Sequence, residues 1–152
     1  DILGRGRTSR LYKKMVKEEK IAVNASAFID FPGSKHPNMM VFFSFPSQGH
    51  TAEDCEAAIN AEVTRIQESL VSESELQKAK TRARADLVRQ LDSNSGLAGQ
   101  LAYTHVLTGD WRNLFRMLEK IDAITAEDIQ RVAKEYLISS QRTVAMIKTT
   151  PQ

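Results

Sequence analysis

The stretch 21–45 limits what this chain can fold into more than any other. Residues 21–31, "IAVNASAFIDF", alternate: Val23, Ala25, Ala27, Ile29 and Phe31 point one way, and Asn24, Ser26 and Asp30 the other. That is the pattern of a strand half-buried against helices. "PGSKHPN" at 32–38 has turn chemistry, and "MMVFFSF" at 39–45 is a short, strongly β-prone run. Together they predict a hairpin with a longer loop. "RTVAMIK" at 142–148 is expected to form a last strand before Pro151. Three strands make a thin sheet with edges to cover, so a further upstream strand or a partner is expected.

Helical periodicity fills most of the remainder. Leu11, Met15 and Val16 give a stripe that runs through Glu19. "TAED" occurs at 51–54 and 125–128, each time with Thr at an N-cap and Asp three residues on, a variant of the capping box. Ser72 and Glu75 make a third box. Behind the first run Cys55, Ala58, Ile59, Val63, Ile66 and Leu70. Behind the Ser72 box run Leu76, Ala79, Ala83, Leu87 and Leu91, and behind the second "TAED" run Ile129, Val132, Ala133, Tyr136 and Leu137. Asn94–Gly96 is expected to break the long helix before Leu97–Leu107 resumes it, and Gly109 to end it. A short helix follows from Asn113 to Ile121, with Leu114, Phe115 and Leu118 inward. The order of elements predicts an α+β fold: a small antiparallel sheet covered on one face by helices, in a single domain over residues 1–152. "DIL" at the start reads as the tail of an amphipathic helix, so the domain is expected to be a fragment of a larger protein, truncated at its N-terminal end.

Charge and chemistry narrow the function. The chain has 152 residues and a net charge of +2, too small to demand a polyanion. The charge is uneven: residues 1–20 hold seven Lys/Arg against three acids, and residues 51–70 hold five acids against Arg65. Cys55 is the single cysteine, so an internal disulfide is excluded, and its place on an apolar stripe predicts a buried thiol. His36, His50 and His105 show no metal-ligand spacing, and neither HxxEH nor GxSxG occurs. No apolar run is long enough to span a bilayer. The basic run Lys78, Lys80, Arg82, Arg84 and Arg89 is interrupted by Asp86 and has no interleaved aromatics, which favours a solvated face over a nucleic-acid surface. Gly4-Arg5-Gly6 begins like a dinucleotide loop, but no strand precedes it. With Thr8 or Ser9 as an N-cap, it reads as a helix–turn–helix connector. Residue chemistry alone assigns no catalytic and no metal-binding residue.

The order of features carries a resemblance. "LGxGxxSRLY" at 3–12, "VxEEKxAV" at 16–23 and "SExELxxAK" at 72–80 resemble the C-terminal, so-called inactive domain of M16 (pitrilysin/insulinase-type) zinc peptidases, over Ile2 to about Thr149. The resemblance implies an α+β domain that repeats the fold of a preceding domain carrying HxxEH and a downstream Glu. In that family two such two-domain halves close around an unfolded peptide. Many members place an Arg and a Tyr, seven residues apart, in the domain of the second half. Here those positions are Val16 and Val23, so the domain either follows the zinc-bearing domain in the first half or belongs to a second half that lost the pair. The first is favoured.

The resemblance therefore implies a non-catalytic substrate-chamber domain. Zinc would be held elsewhere, by an M16 domain in the same or a companion chain. The partners implied are that domain and an unfolded peptide, with no nucleic acid and no membrane span; a second copy pairing through the exposed sheet edge is a further expectation. Gly4, Arg5, Gly6 and Arg7 are the residues expected to touch peptide, as a short counterpart of the glycine-rich loop of the related mitochondrial processing peptidase. Compartment stays open, with the periplasm implied by bacterial members. The alternative is a scaffold subunit without peptidase activity, as are the core proteins of the respiratory bc1 complex. A polyanion-binding module using residues 5–20 and 78–89 is the third reading.

Overall fold

The computed structural model describes residues 1–147. A π-helix, Tyr12–Glu18, follows the N-terminal loop; its i→i+5 winding shows in the Glu19 N–H donating to the Lys14 carbonyl at 2.9 Å. Then come β1 (Ala22–Phe31), β2 (Met39–Pro46), α1 (Ala52–Glu68), α2 (Glu73–Leu91), α3 (Asn94–Thr108), α4 (Asn113–Ala123), α5 (Ala126–Tyr136) and a 3₁₀ turn, Ser139–Gln141. The fold is α+β, an antiparallel hairpin with helices against one face. All three capping boxes form, at Thr51/Asp54, Ser72/Glu75 and Thr125/Asp128. In each, the hydroxyl and the carboxylate satisfy backbone donors that the first helical turn leaves orphaned.

The structure corrects four expectations. Residues 142–147 pair with no strand, so the sheet has two strands among the described residues; Lys148 and Pro151 lie outside them. Extended backbone becomes a strand only when a ladder partner is beside it, and here Arg142 is instead tied to Glu56 and Asn60 on α1. The α2–α3 break falls at Asp92–Ser93, ahead of Asn94, because the Ser93 hydroxyl accepts from Gly96 N–H and caps α3. Phe115 is half-exposed, while Leu114 is buried and Leu118 half-buried. The alternation in β1 also fails at both ends. Register shifts at Ala22/Asn24 and Phe28/Phe31 turn the strand over. Ala22, Ala25 and Ala27 therefore face the helices, and Val23, Ile29 and Phe31 are exposed.

Two apolar clusters meet at one residue. Leu11, Met15, Ala22, Ala25 and Cys55 pack beneath the π-helix and α1. Leu3, Ile66, Val71, Leu76 and Ala133 pack between α1, α2 and α5. Phe42 of β2 touches both. Cys55 is buried as expected, and burial pushes its thiol pKa up, so it is an inert core group. Gln67 donates to the Ala133 and Leu137 carbonyls and so closes the last turn of α5.

Candidate functional site

Two features stand out: the N-terminal loop where it meets α2, and the uncovered side of the hairpin. The loop is built by close approach. A Cβ on Gly4 would lie 1.9 Å from the Ala27 nitrogen, so only glycine fits where the loop crosses β1. Gly6 has φ +78°, the left-handed region. Of the two hydroxyls expected to cap the next helix, Ser9 does so, accepting from Tyr12 N–H at 3.4 Å. Thr8 instead accepts from Arg82 at 2.9 Å. Arg82 also donates to the Arg5 carbonyl, and Arg5 pairs with Asp86 at 2.7 Å. Gly4 is thus buried in the connector, while Arg5, Gly6 and Arg7 are exposed.

Arg10 locks this region with a two-pronged contact, Nε and Nη2 donating to the two Glu75 oxygens at 2.9 Å each. The guanidinium, helped by Ser72 N–H, holds the Glu75 pKa down at about 2. The basic run on α2 is exposed at Lys78, Arg84 and Arg89 and half-buried at Lys80 and Arg82, and most of its members also make contacts. Lys80 and Arg84 hold Asp122 near the end of α4, Arg82 holds the loop, and Arg89 pairs with Asp86. Sequence reasoning also missed Glu62, a buried carboxylate on α1 paired with Arg65 at 2.7 Å. The signal was present: 55, 59, 62 and 66 share one helical stripe.

The two edges of the hairpin differ. At β1 the Ala27 N–H turns out of the ladder and donates to the Gly4 carbonyl at 3.2 Å. Residues opposite one another in an antiparallel pair turn their peptide groups alike. Phe42, opposite Ala27, and Ser44, opposite Ala25, therefore present theirs along the outer edge of β2. Among the described residues no backbone bond outside the ladder reaches 39–45. The cross-strand pairs Asn24–Phe45, Ser26–Phe43, Phe28–Val41 and Phe31–Met39 form a ladder away from the helices. Its Phe28, Phe31, Met39, Phe43 and Phe45 are all exposed.

Among the described residues no three His, Cys, Asp or Glu side chains gather as metal ligands. His36 lies in the hairpin loop, His105 on α3, and His50 beside the α1 cap, 3.9 Å from Asp54. This donor set does not fit zinc, and no step through zinc is assigned to it. No helix among the described residues is long and apolar enough to cross a membrane.

The family profile described as the Peptidase M16 inactive domain matches residues 1–83, more than half of the chain. The chain belongs to that family. The proteins it is similar to include bacterial zinc proteases and their domains. Zinc protease PqqE of Helicobacter pylori is 25% identical over 147 residues, covering 97% of this chain and 32% of PqqE. A crystal structure of a candidate zinc protease from Bordetella pertussis Tohama I superposes with a TM-score of 0.82 at 23% identity, covering 97% of this chain and 80% of that one. The inactive peptidase domain of a candidate zinc protease from Bordetella parapertussis gives 0.80 at 22% identity, covering 93% and 75%. The chain spans about a third of the length of the curated relative it matches. The M16 resemblance read from "LGxGxxSRLY" and the α+β architecture both stand.

Proposed function

We propose that this chain is the non-catalytic, peptide-contacting wall domain of an M16 zinc peptidase. The zinc and the general base would be carried by an M16 domain in the same or a companion chain. The observation that supports this most is the β2 edge: a row of peptide groups unpaired among the described residues, beside an apolar ladder. An extended peptide adds to such an edge through main-chain bonds that tolerate many sequences. The loop at Gly4, Arg5, Gly6 and Arg7 is a second contact, made through its exposed arginines, since Gly4 is buried under Ala27. A second copy of the chain can take the same β2 edge, which is the route to a homodimer.

The test is direct. The chain is assayed against a quenched fluorescent peptide mixture with and without chelator, and its zinc content is measured after dialysis. The expected result is no cleavage and no stoichiometric zinc, together with saturable binding of an extended peptide. Chelator-sensitive cleavage by the chain alone would overturn the reading.

A further inference from the structure

The charge left uneven in the sequence is gathered by the fold into one seam. Segments 5–20 and 73–89 together carry twelve Lys/Arg against five Asp/Glu, and the rest of the chain carries nine against fourteen. The Arg10–Glu75, Arg5–Asp86 and Arg82–Thr8 contacts bring these two segments side by side. Where they meet lies a pit of about 40 Å³ lined by Asp1, Thr8, Ser9, Lys13, Glu75, Lys78 and Arg82, among others.

The acids at this pit are already neutralised. Glu75 is held by both arms of Arg10 and kept ionised far below its ordinary range. Asp1 faces Arg5 at 3.3 Å. Lys13, Lys78 and Arg7 are exposed, and among the described residues no ion pair or hydrogen bond engages their charged groups. The exposed Thr8 hydroxyl lies on the same rim, and Ser9 lines the pit from its buried side. An unpaired cation at a surface already rich in positive charge gains most from an incoming carboxylate.

We propose that this seam is a charge-selective docking site for acidic residues of a peptide, with Lys13 and Lys78 receiving the carboxylate and Arg7 extending the site along the loop. It rests on the reading of the chain as a peptide-contacting domain and adds a preference to it. The β2 edge supplies main-chain affinity with little regard to sequence; the seam discriminates by charge. Nucleic acid is disfavoured, because the 78–89 run has no interleaved aromatic and Tyr12 is the single aromatic among the cations of 5–20, too few for a stacking platform.

The experiment uses three fluorescein-labelled, extended 14-residue peptides of one Gly/Ser/Val background with four Glu, four Gln or four Lys. Each is titrated with the chain by anisotropy at low and at physiological salt. The Glu peptide is expected to bind about tenfold more tightly than the Gln peptide, with the gap shrinking as salt is added. Lys13→Gln with Lys78→Gln should remove most of that gap. The control pair Lys120→Gln with Lys134→Gln, the same charge change on α4 and α5, should preserve it. All side chains involved are exposed, so melting curves should be unaltered. If Glu and Gln peptides bind equally, or the control pair matches the seam pair, the seam is overturned while the peptide reading stands. If no peptide binds, both fall. If a single-stranded oligonucleotide outcompetes the Glu peptide at physiological salt, the seam belongs to a polyanion and the proposal is wrong.

Discussion

The two strands of the hairpin face the same solvent, yet only one of them has a guarded edge. β1 is interrupted by register shifts near both ends, carries Asp30 at φ +68°, and has its Ala27 N–H taken by Gly4. β2 runs through eight residues without a charge, and its outward peptide groups make no backbone hydrogen bond among the described residues. Bulges, charges and covering loops are the ordinary means of stopping a strand from recruiting another. A strand lacking all of them is built to be paired. On the proposed reading, the difference separates the edge this domain closes for itself from the edge that receives another chain or segment.

The largest effect should come from breaking the guard on β1. Gly4→Ala drives a methyl into the Ala27 backbone and is expected to cost about 3 kcal/mol, read as a fall in melting temperature. Melting within a degree of the parent would mean that the loop does not sit on β1.

Next is the anchor that holds the loop segment to α2. Arg10→Met leaves Glu75 without its partner and should cost about 2 kcal/mol at neutral pH. The pH dependence follows from the lowered Glu75 pKa. Protons bind Glu75 more readily in the unfolded chain, so its stabilisation is complete above about pH 4.5 and drains away as the pH falls toward about 2. In Arg10→Met this part of the acid limb of a denaturant-midpoint profile should flatten. An unchanged limb would sever the pair from stability.

The comparison sharpens with proline. At Ser44 the missing N–H is one that points outward, so Ser44→Pro should cost only about 1 kcal/mol, while abolishing peptide binding at the edge. A loss of fold would show that β2 is bonded on that side after all. The smallest change in stability belongs to Phe43→Lys on the exposed ladder, expected within about 0.5 kcal/mol of the parent. The lysine should raise the concentration at which light scattering first reports association.

What was legible in the sequence was local. The three capping boxes need residues three apart, and each formed where Thr51, Ser72 and Thr125 announced it. The Gly109 stop and the hairpin were local too. The exposed Val23 and Ile29 were not legible, because a bulge flips a strand without marking its composition. Arg10 and Glu75 lie 65 residues apart, and nothing in either segment names the other. Residues 142–147 have strand composition, but a ladder needs a neighbour that composition cannot supply. The M16 membership was readable because its motifs sit at the connector and at the α2 cap, which are also short-range features. The β2 edge needed the structure, since the direction of the Phe42 peptide group follows from the Ala27–Gly4 bond.

The central claim is that β2 receives an extended peptide. The most direct measurement is amide hydrogen exchange at Phe42 and Ser44, in the chain alone, with an extended peptide, and with the same peptide N-methylated at alternate residues. The account predicts fast exchange alone, strong protection with the unmodified peptide, and none with the methylated one. Slow exchange in the free chain, or equal protection by both peptides, would contradict it.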